Sequence, residues 1–157
     1  KKRNLQQELF IKQINLACKH NKSIIIHNRD SSNDLVDIIK SISSSKLTSK
    51  IVFHCCEPNF ELLNLAILRN IFIGVDGDIT YDQNKKDFIK QVPLDLLVLE
   101  TDSPFLLPEP LKSSKLYPNV PANLPLIAQS VAQIKHVSFR QISQQTTQNA
   151  KQLFNLD

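Results

Sequence analysis

The sequence predicts an α/β fold in which parallel strands are covered by helices, and three observations carry that prediction. Short continuous apolar runs (Ile24–Ile26, Ile51–Phe53, Ile71–Ile73 and Leu96–Leu99) have the length and composition of buried strands. Segments with helical apolar spacing alternate with these runs. The 157 residues are 41% hydrophobic and 22% charged, ordinary globular proportions that give one domain a core and exclude a disordered or coiled-coil chain.

Taken in order, the first helix is expected from about Leu5 to His20, with Leu5, Leu9, Phe10, Ile14 and Ala17 on one side. The first strand is Ser23–His27. A second helix, Ser31–Ile42, turns Leu35, Ile38, Ile39 and Ile42 inward, with Ser31 available as its N-cap. A Ser/Lys-rich linker, Ser43–Lys50, leads to the strand Ile51–His54. The third helix runs from about Asn59 to Arg69, the third strand from Ile71 to Val75. A polar helix near Asn84–Gln91 precedes the fourth strand, Leu96–Glu100. Six of the eight prolines then fall between Pro104 and Pro125, which predicts a long ordered loop. Two helices close the chain, about Leu124–Lys135 and Ser138–Phe154, the second opening on a capping box, Ser138 with Gln141.

Nineteen basic and fifteen acidic residues give a net charge of +4, a mild lean towards polyanions without a basic stripe. No apolar stretch approaches the roughly 20 residues of a membrane-spanning helix, so no membrane partner is expected. Three cysteines, two of them adjacent, form no disulfide framework and suggest a reducing compartment. Lys1-Lys2-Arg3 leads into a polar helix and not an apolar leader. The expected compartment is the cytoplasm, or the nucleus in a eukaryote.

Three residues at strand ends are candidate metal ligands: His27 closes the first strand, His54 the second, and Asp102 follows the fourth. In parallel α/β folds, functional groups converge at the carboxyl ends of strands. Two imidazoles and a carboxylate suit Zn, Mn or Mg. A single histidine there would read as an ordinary core or loop residue; three matching positions favour ligands. Arg29 offers a planar fork for a substrate phosphate or carboxylate, against a salt bridge to Asp30 or another acid. Glu100 and Asp102 point to one side of an extended backbone, Asp102 as ligand and Glu100 as its support; the alternative for Glu100 is a pairing with a lysine.

Gly74 and Gly77, the only glycines, imply positive φ or close approach at the mouth, as a bulge or tight turn. Cys55 and Cys56 read as buried inert thiols more than as a nucleophile activated by His54.

These residues resemble the TatD family of metal-dependent deoxyribonucleases, a branch of the amidohydrolase-like (β/α)8 barrels. The resemblance is carried by Ile25-Ile26-His27-Asn28-Arg29-Asp30, by His54-Cys55, and by Ile73-Gly74-Val75-Asp76-Gly77-Asp78-Ile79-Thr80. Most specific is Pro93-Leu94-Asp95 followed by Leu99-Glu100-Thr101-Asp102-Ser103-Pro104-Phe105-Leu106, with Thr146-Thr147, Asn149-Ala150 and Leu153-Phe154 at the end. It implies that His27 and His54 bind a divalent ion, that Asp102 is a ligand or catalytic carboxylate, that Arg29 orients a phosphate, and that DNA is the substrate.

The family also carries a His-x-His pair on the first barrel strand and a glutamate on the fourth, and nothing here corresponds to either. Cys56 stands where the family has an aromatic, and Asn119-Val120-Pro121 replaces Asn-Glu-Pro. A whole barrel takes about 250 residues. The chain therefore reads as one partial domain, the C-terminal half of such a barrel: its last four βα units and the closing helices. Half a barrel leaves strand edges and an apolar sheet face exposed, so self-association or dependence on the N-terminal half is expected. Two other functions fit these residues: a catalytically inactive scaffold or interaction module, and a hydrolase of small amides, esters or lactones.

Overall fold

A computed structural model describes residues 2–42 and 45–157. Helix α1 (Lys2–His20) leads to strand β1 (Ile24–His27), then α2 (Ser32–Ser41), a 3-10 turn (Ser45–Leu47) and β2 (Ile51–His54). Next come α3 (Phe60–Arg69), β3 (Phe72–Val75), a 3-10 turn (Gly77–Thr80), α4 (Gln83–Gln91), a 3-10 turn (Leu94–Leu96) and β4 (Leu97–Leu99). A third segment without regular strands carries the proline-rich loop to a 3-10 turn (Pro121–Asn123), α5 (Leu124–Lys135) and α6 (Phe139–Phe154). In the expected linker, Ser43 and Ser44 lie outside the described residues.

The four strands form one parallel sheet in chain order, β1-β2-β3-β4. Side chains alternate between its two faces. Ile26, Ile51, Phe53, Ile73, Val75 and Leu97 join the large core beneath the helices, with Leu35, Ile39, Leu62, Phe88, Ile127 and Ile142. The opposite face carries a smaller cluster of Val52, Phe72 and Val98, covered by Leu153 near the end of α6. Asn149 of the same helix donates from Nδ2 to the carbonyls of Leu94 (2.9 Å) and Leu97 (2.7 Å), fixing the start of β4.

Local chemistry explains most boundaries. Asn59 caps α3 by accepting the Leu62 amide, and Asp82 caps α4 by accepting that of Lys85. The Ser138–Gln141 capping box forms as expected. Ser31 occupies the N-cap of α2 but makes no side-chain cap; its hydroxyl donates instead to Asn28 Oδ1 at 2.8 Å. The fourth strand is shorter than its apolar run, because Pro93 starts a 3-10 turn that takes Leu94–Leu96.

The largest departure is in α1. Ile14 is its one buried residue among those described, and Leu5 and Leu9 are 65% and 55% exposed. The helix forms where expected, and the later part of its apolar side is covered, with Ile14 in the core and Phe10 packed against it, but the Leu5–Leu9 part is left open among the described residues. Ile25 on β1 is likewise 60% exposed. Among the described residues, β1 and β4 pair on one side only, and no helix is long and apolar enough to cross a membrane.

Candidate metal centre

Backbone register brings the two strand-end histidines together. Ile24 pairs with Ile51 and the ladder runs in step to His27 opposite His54, so both imidazoles leave the same face at the carboxyl edge. Their ring centroids are 5.7 Å apart. His54 is held at both nitrogens: Nδ1 is hydrogen-bonded to Glu100 Oε2, and Nε2 lies 3.2 Å from Asp102 Oδ1. Three of the residues singled out in the sequence therefore meet directly, with His27 beside them.

Glu100 directly follows β4 and His54 ends β2, so the carboxylate must cross the intervening strand. Gly74 makes that possible. A Cβ on Gly74 would sit 2.2 Å from Glu100 Oε1. The same oxygen accepts the Cys55 backbone N–H at 2.6 Å, fixing the turn after His54, where Cys55 takes φ +47°.

Gly77 meets the other expectation for these glycines, again as close approach and not positive φ. Its missing Cβ would lie 1.8 Å from the Leu106 carbonyl oxygen, so the loop after β4 rests directly on this residue. That loop carries Asp102, a non-glycine at φ +51°. Buried Asn119 pins it, donating from Nδ2 to the carbonyls of Thr101 (2.8 Å) and Phe105 (2.7 Å) on either side of Asp102. Asn119 opens the Asn119-Val120-Pro121 segment that departs from the family's Asn-Glu-Pro, and a lone Asn gives no sign in sequence of which carbonyls it will bridge.

Arg29 is exposed, and no ion pair to it is found among the described residues, so the expected alternative with Asp30 is not formed. Its turn is tied by Asn28, whose Nδ2 donates to Ser32 Oγ at 3.0 Å. His27 and Arg29 share an open cleft of roughly 760 Å³ between α1, β1 and α2. That cleft follows the unpaired edge of β1 and does not include His54 or Asp102, so it is a seam beside the centre.

A second group of donors lies on the outer side of the same turns. Cys55, Asp76 and Asp78 bring ligand atoms within 4.8 Å of one another. Lys85 sits among them, its Nζ 2.7 Å from Asp78, 3.4 Å from Asp76 and 4.0 Å from Cys55 Sγ. Burial raises the Asp76 carboxyl, but the Lys85 ammonium and hydrogen bonds from Asp78 outweigh it and hold the group below its usual range. Burial, with the hydrogen bond and charge of Asp76, pushes Asp78 up to about 7. Burial also pushes Cys56 up to about 12 and Cys55 well above a usual thiol, which keeps both protonated at neutral pH.

Asp78 thereby sets a pH dependence. Its folded value lies above the unfolded one, so the folded state keeps a proton that the unfolded state has lost. Its contribution to stability is full below about pH 4 and disappears as pH rises to 7. In thermal melts, Asp78→Asn should gain on the parent across that window, by about 5 °C at pH 7 and above. A gap that stays flat from pH 4 to 8 would contradict the assignment.

Known proteins share this arrangement of strands and turns. A family model described as TatD related DNase matches residues 1–155. The chain belongs to the TatD-related family. It is 34% identical over 157 residues to YabD of Bacillus subtilis, an uncharacterized metal-dependent hydrolase, covering 99% of this chain and 60% of that one. It is 29% identical over 149 residues to human deoxyribonuclease TATDN3, covering 95% of this chain and 51% of the relative. The crystal structure of YjjV, a TatD homologue of Escherichia coli, superposes with a TM-score of 0.85 at 25% identity, over 98% of this chain and 58% of that chain. This TatD-family chain is thus a partial barrel, spanning roughly half to three fifths of the length of the relatives it matches.

Proposed function

We propose that this chain supplies the C-terminal half of a divalent-metal-dependent hydrolase that cleaves DNA phosphodiester bonds. The observation that carries the reading is the contact of His54 Nε2 with Asp102 at the carboxyl edge of the sheet, with Glu100 seated on His54 Nδ1 and His27 in the same rung. The ligand atoms of His27, His54 and Asp102 do not, however, close to within 4.8 Å of one another as those of Cys55, Asp76 and Asp78 do.

The donor set fits a divalent ion. Glu100 on Nδ1 leaves Nε2 directed at Asp102, the orientation that a ligating imidazole takes from a carboxylate partner. His27, His54 and Asp102 would hold the ion; Mg, Mn and Zn all accept nitrogen and oxygen donors, with Zn the best suited to imidazole. When bound, such an ion supplies Lewis acidity, lowering the pKa of a water and polarising a phosphodiester. The protein's own share is positional: Glu100 fixes the His54 ring, Asn119 fixes the turn of Asp102, and exposed Arg29 is free to take a phosphate oxygen.

The DNA assignment draws on the family and on the name of the human relative. The test is a substrate panel with the complete barrel, loaded in turn with Mg, Mn and Zn. Labelled DNA oligonucleotides should be cleaved, while p-nitrophenyl esters, anilides and lactones should not. Turnover of a small ester or amide with DNA untouched would replace the nuclease reading.

An inactive scaffold is favoured by one observation, exposed Val120 standing where a family carboxylate would be. On that reading Mn would fail to raise the melting temperature, whereas the hydrolase reading expects about 3 °C or more at saturating ion.

The remaining strands are the proposed partner. Exposed Leu5, Leu9 and Ile25 and the two sheet edges are surfaces that a complementary half would cover. The 157-residue chain alone should therefore self-associate in sedimentation, and co-expression with the N-terminal half should return a single 1:1 species. A monodisperse monomer with a cooperative melt would overturn this.

A further inference from the structure

We infer that Lys85 is a positioning residue of the candidate metal centre: its buried ammonium ties the turn that follows His54 to the turn beneath the loop that carries Asp102. The inference deepens the proposed function and rests on that reading for its catalytic meaning.

Lys85 is 2% exposed and projects from the first turn of α4 into the space between Cys55, Asp76 and Asp78. Those three have the spacing of a metal site, but the ammonium already stands within their reach, so the cluster acts as a cross-link. A buried charge is costly, and an apolar side chain of similar volume would fill the site without that cost. Packing therefore does not explain a lysine here. What the ammonium adds is direction, since it gathers groups from two different strand ends.

Both ends lead to the centre. On one side, Cys55 follows His54 directly, and its backbone N–H holds the Glu100 carboxylate that is hydrogen-bonded to His54. On the other, Asp76 Oδ1 accepts the Asp78 N–H at 3.0 Å and caps the turn Gly77–Thr80. That turn is the seat of the loop: the Leu106 carbonyl lies against Gly77, and Thr80 Oγ1 accepts the Glu109 N–H at 2.9 Å. Among the described residues, the partners of Lys85 Nζ are Cys55, Asp76 and Asp78 and not His54 or Asp102, so its action on that pair is indirect.

The single change Lys85→Met would leave two buried carboxylates unbalanced, and loss of folding would then say little. The variant of choice combines Lys85→Met, Asp76→Asn and Asp78→Asn. It removes all three charges together, and the amide oxygen at position 76 can still cap its turn. The reporter is the Cys55 backbone amide in NMR, because its bond to Glu100 senses the centre without any need for turnover. In the triple variant this amide should move upfield and exchange at least tenfold faster, while the sheet amides of Phe53 and Ile73 keep their protection. Mn affinity should fall at least tenfold in parallel.

An unchanged Cys55 amide with unchanged Mn affinity overturns the inference. So does equal acceleration of the Cys55 and sheet amides, which would make Lys85 a general stabiliser. If the parent binds no Mn, the metal reading fails, and the Cys55 amide still decides the place of Lys85.

Discussion

Replacing His54 by Ala and Asp102 by Asn together should lower metal-dependent cleavage by the complete barrel at least about a thousandfold, with the melting temperature within a few degrees of the parent. Both side chains are partly exposed at the carboxyl edge, and neither belongs to the apolar core. Their removal costs little packing. The electrostatic consequence is far larger, because on the proposed reading the centre would lose two of its three donors. Asp102→Asn alone is the more delicate change: it preserves shape and one acceptor oxygen while removing the negative charge. The readout is kcat at saturating metal alongside a thermal melt. Cleavage retained by the purified double variant would sink the assignment of these residues.

The two glycines should separate function from stability when each is changed to alanine. At Gly74 the foremost obstruction is the end of a flexible side chain, the Glu100 carboxylate 2.2 Å from the new Cβ, and the Phe53 carbonyl oxygen at 3.1 Å asks the backbone to give only a few tenths of an ångström. Glu100 can swing away, so the fold survives. His54 then loses its orienting partner, and loss of such a partner costs about 10–100-fold in metal affinity or activity. At Gly77 the obstruction is main chain, the Leu106 carbonyl oxygen at 1.8 Å with Pro108 N at 3.1 Å. No rotamer relieves it, and the loop itself must lift. Gly77→Ala should therefore cost about 3 kcal/mol of stability, in the range of overpacked sites. Calorimetry and Mn titration on the two variants test the contrast. A Gly74→Ala protein with normal Mn affinity would mean that Glu100 is dispensable.

Strands were the most legible part of the sequence, since apolar runs such as Ile51–Phe53 owe their character to burial on both faces. His54 and Asp102 could be marked because strand ends are where this architecture gathers its chemistry. The fourth strand, expected over Leu96–Glu100, was overdrawn by one residue at each end, because an apolar run does not say that Leu96 will close a 3-10 turn after Pro93. The first helix was placed well and its apolar side holds at Phe10 and Ile14, but not at Leu5 and Leu9: periodicity reveals an apolar side without revealing how far it is covered. Lys85 was invisible. A lysine in a polar helix reads as solvated, and only the fold brings Cys55, Asp76 and Asp78 around it. Gly74 was noticed for its rarity, while its purpose depended on a carboxylate 26 positions later in the chain crossing over it.

On the proposed reading, the pairing of His27 with His54 in one rung of the ladder makes the spacing of these two ligands a property of the sheet and not of its loops. Sliding β1 by a single residue would turn His27 to the opposite face and present Ile26 in its place. A misaligned sheet would then be unable to hold an ion between the two histidines. On the proposed reading, metal uptake proofreads strand alignment, and loops around the centre can be exchanged to suit new substrates while the spacing of the ligands stays locked in the hydrogen-bonded backbone.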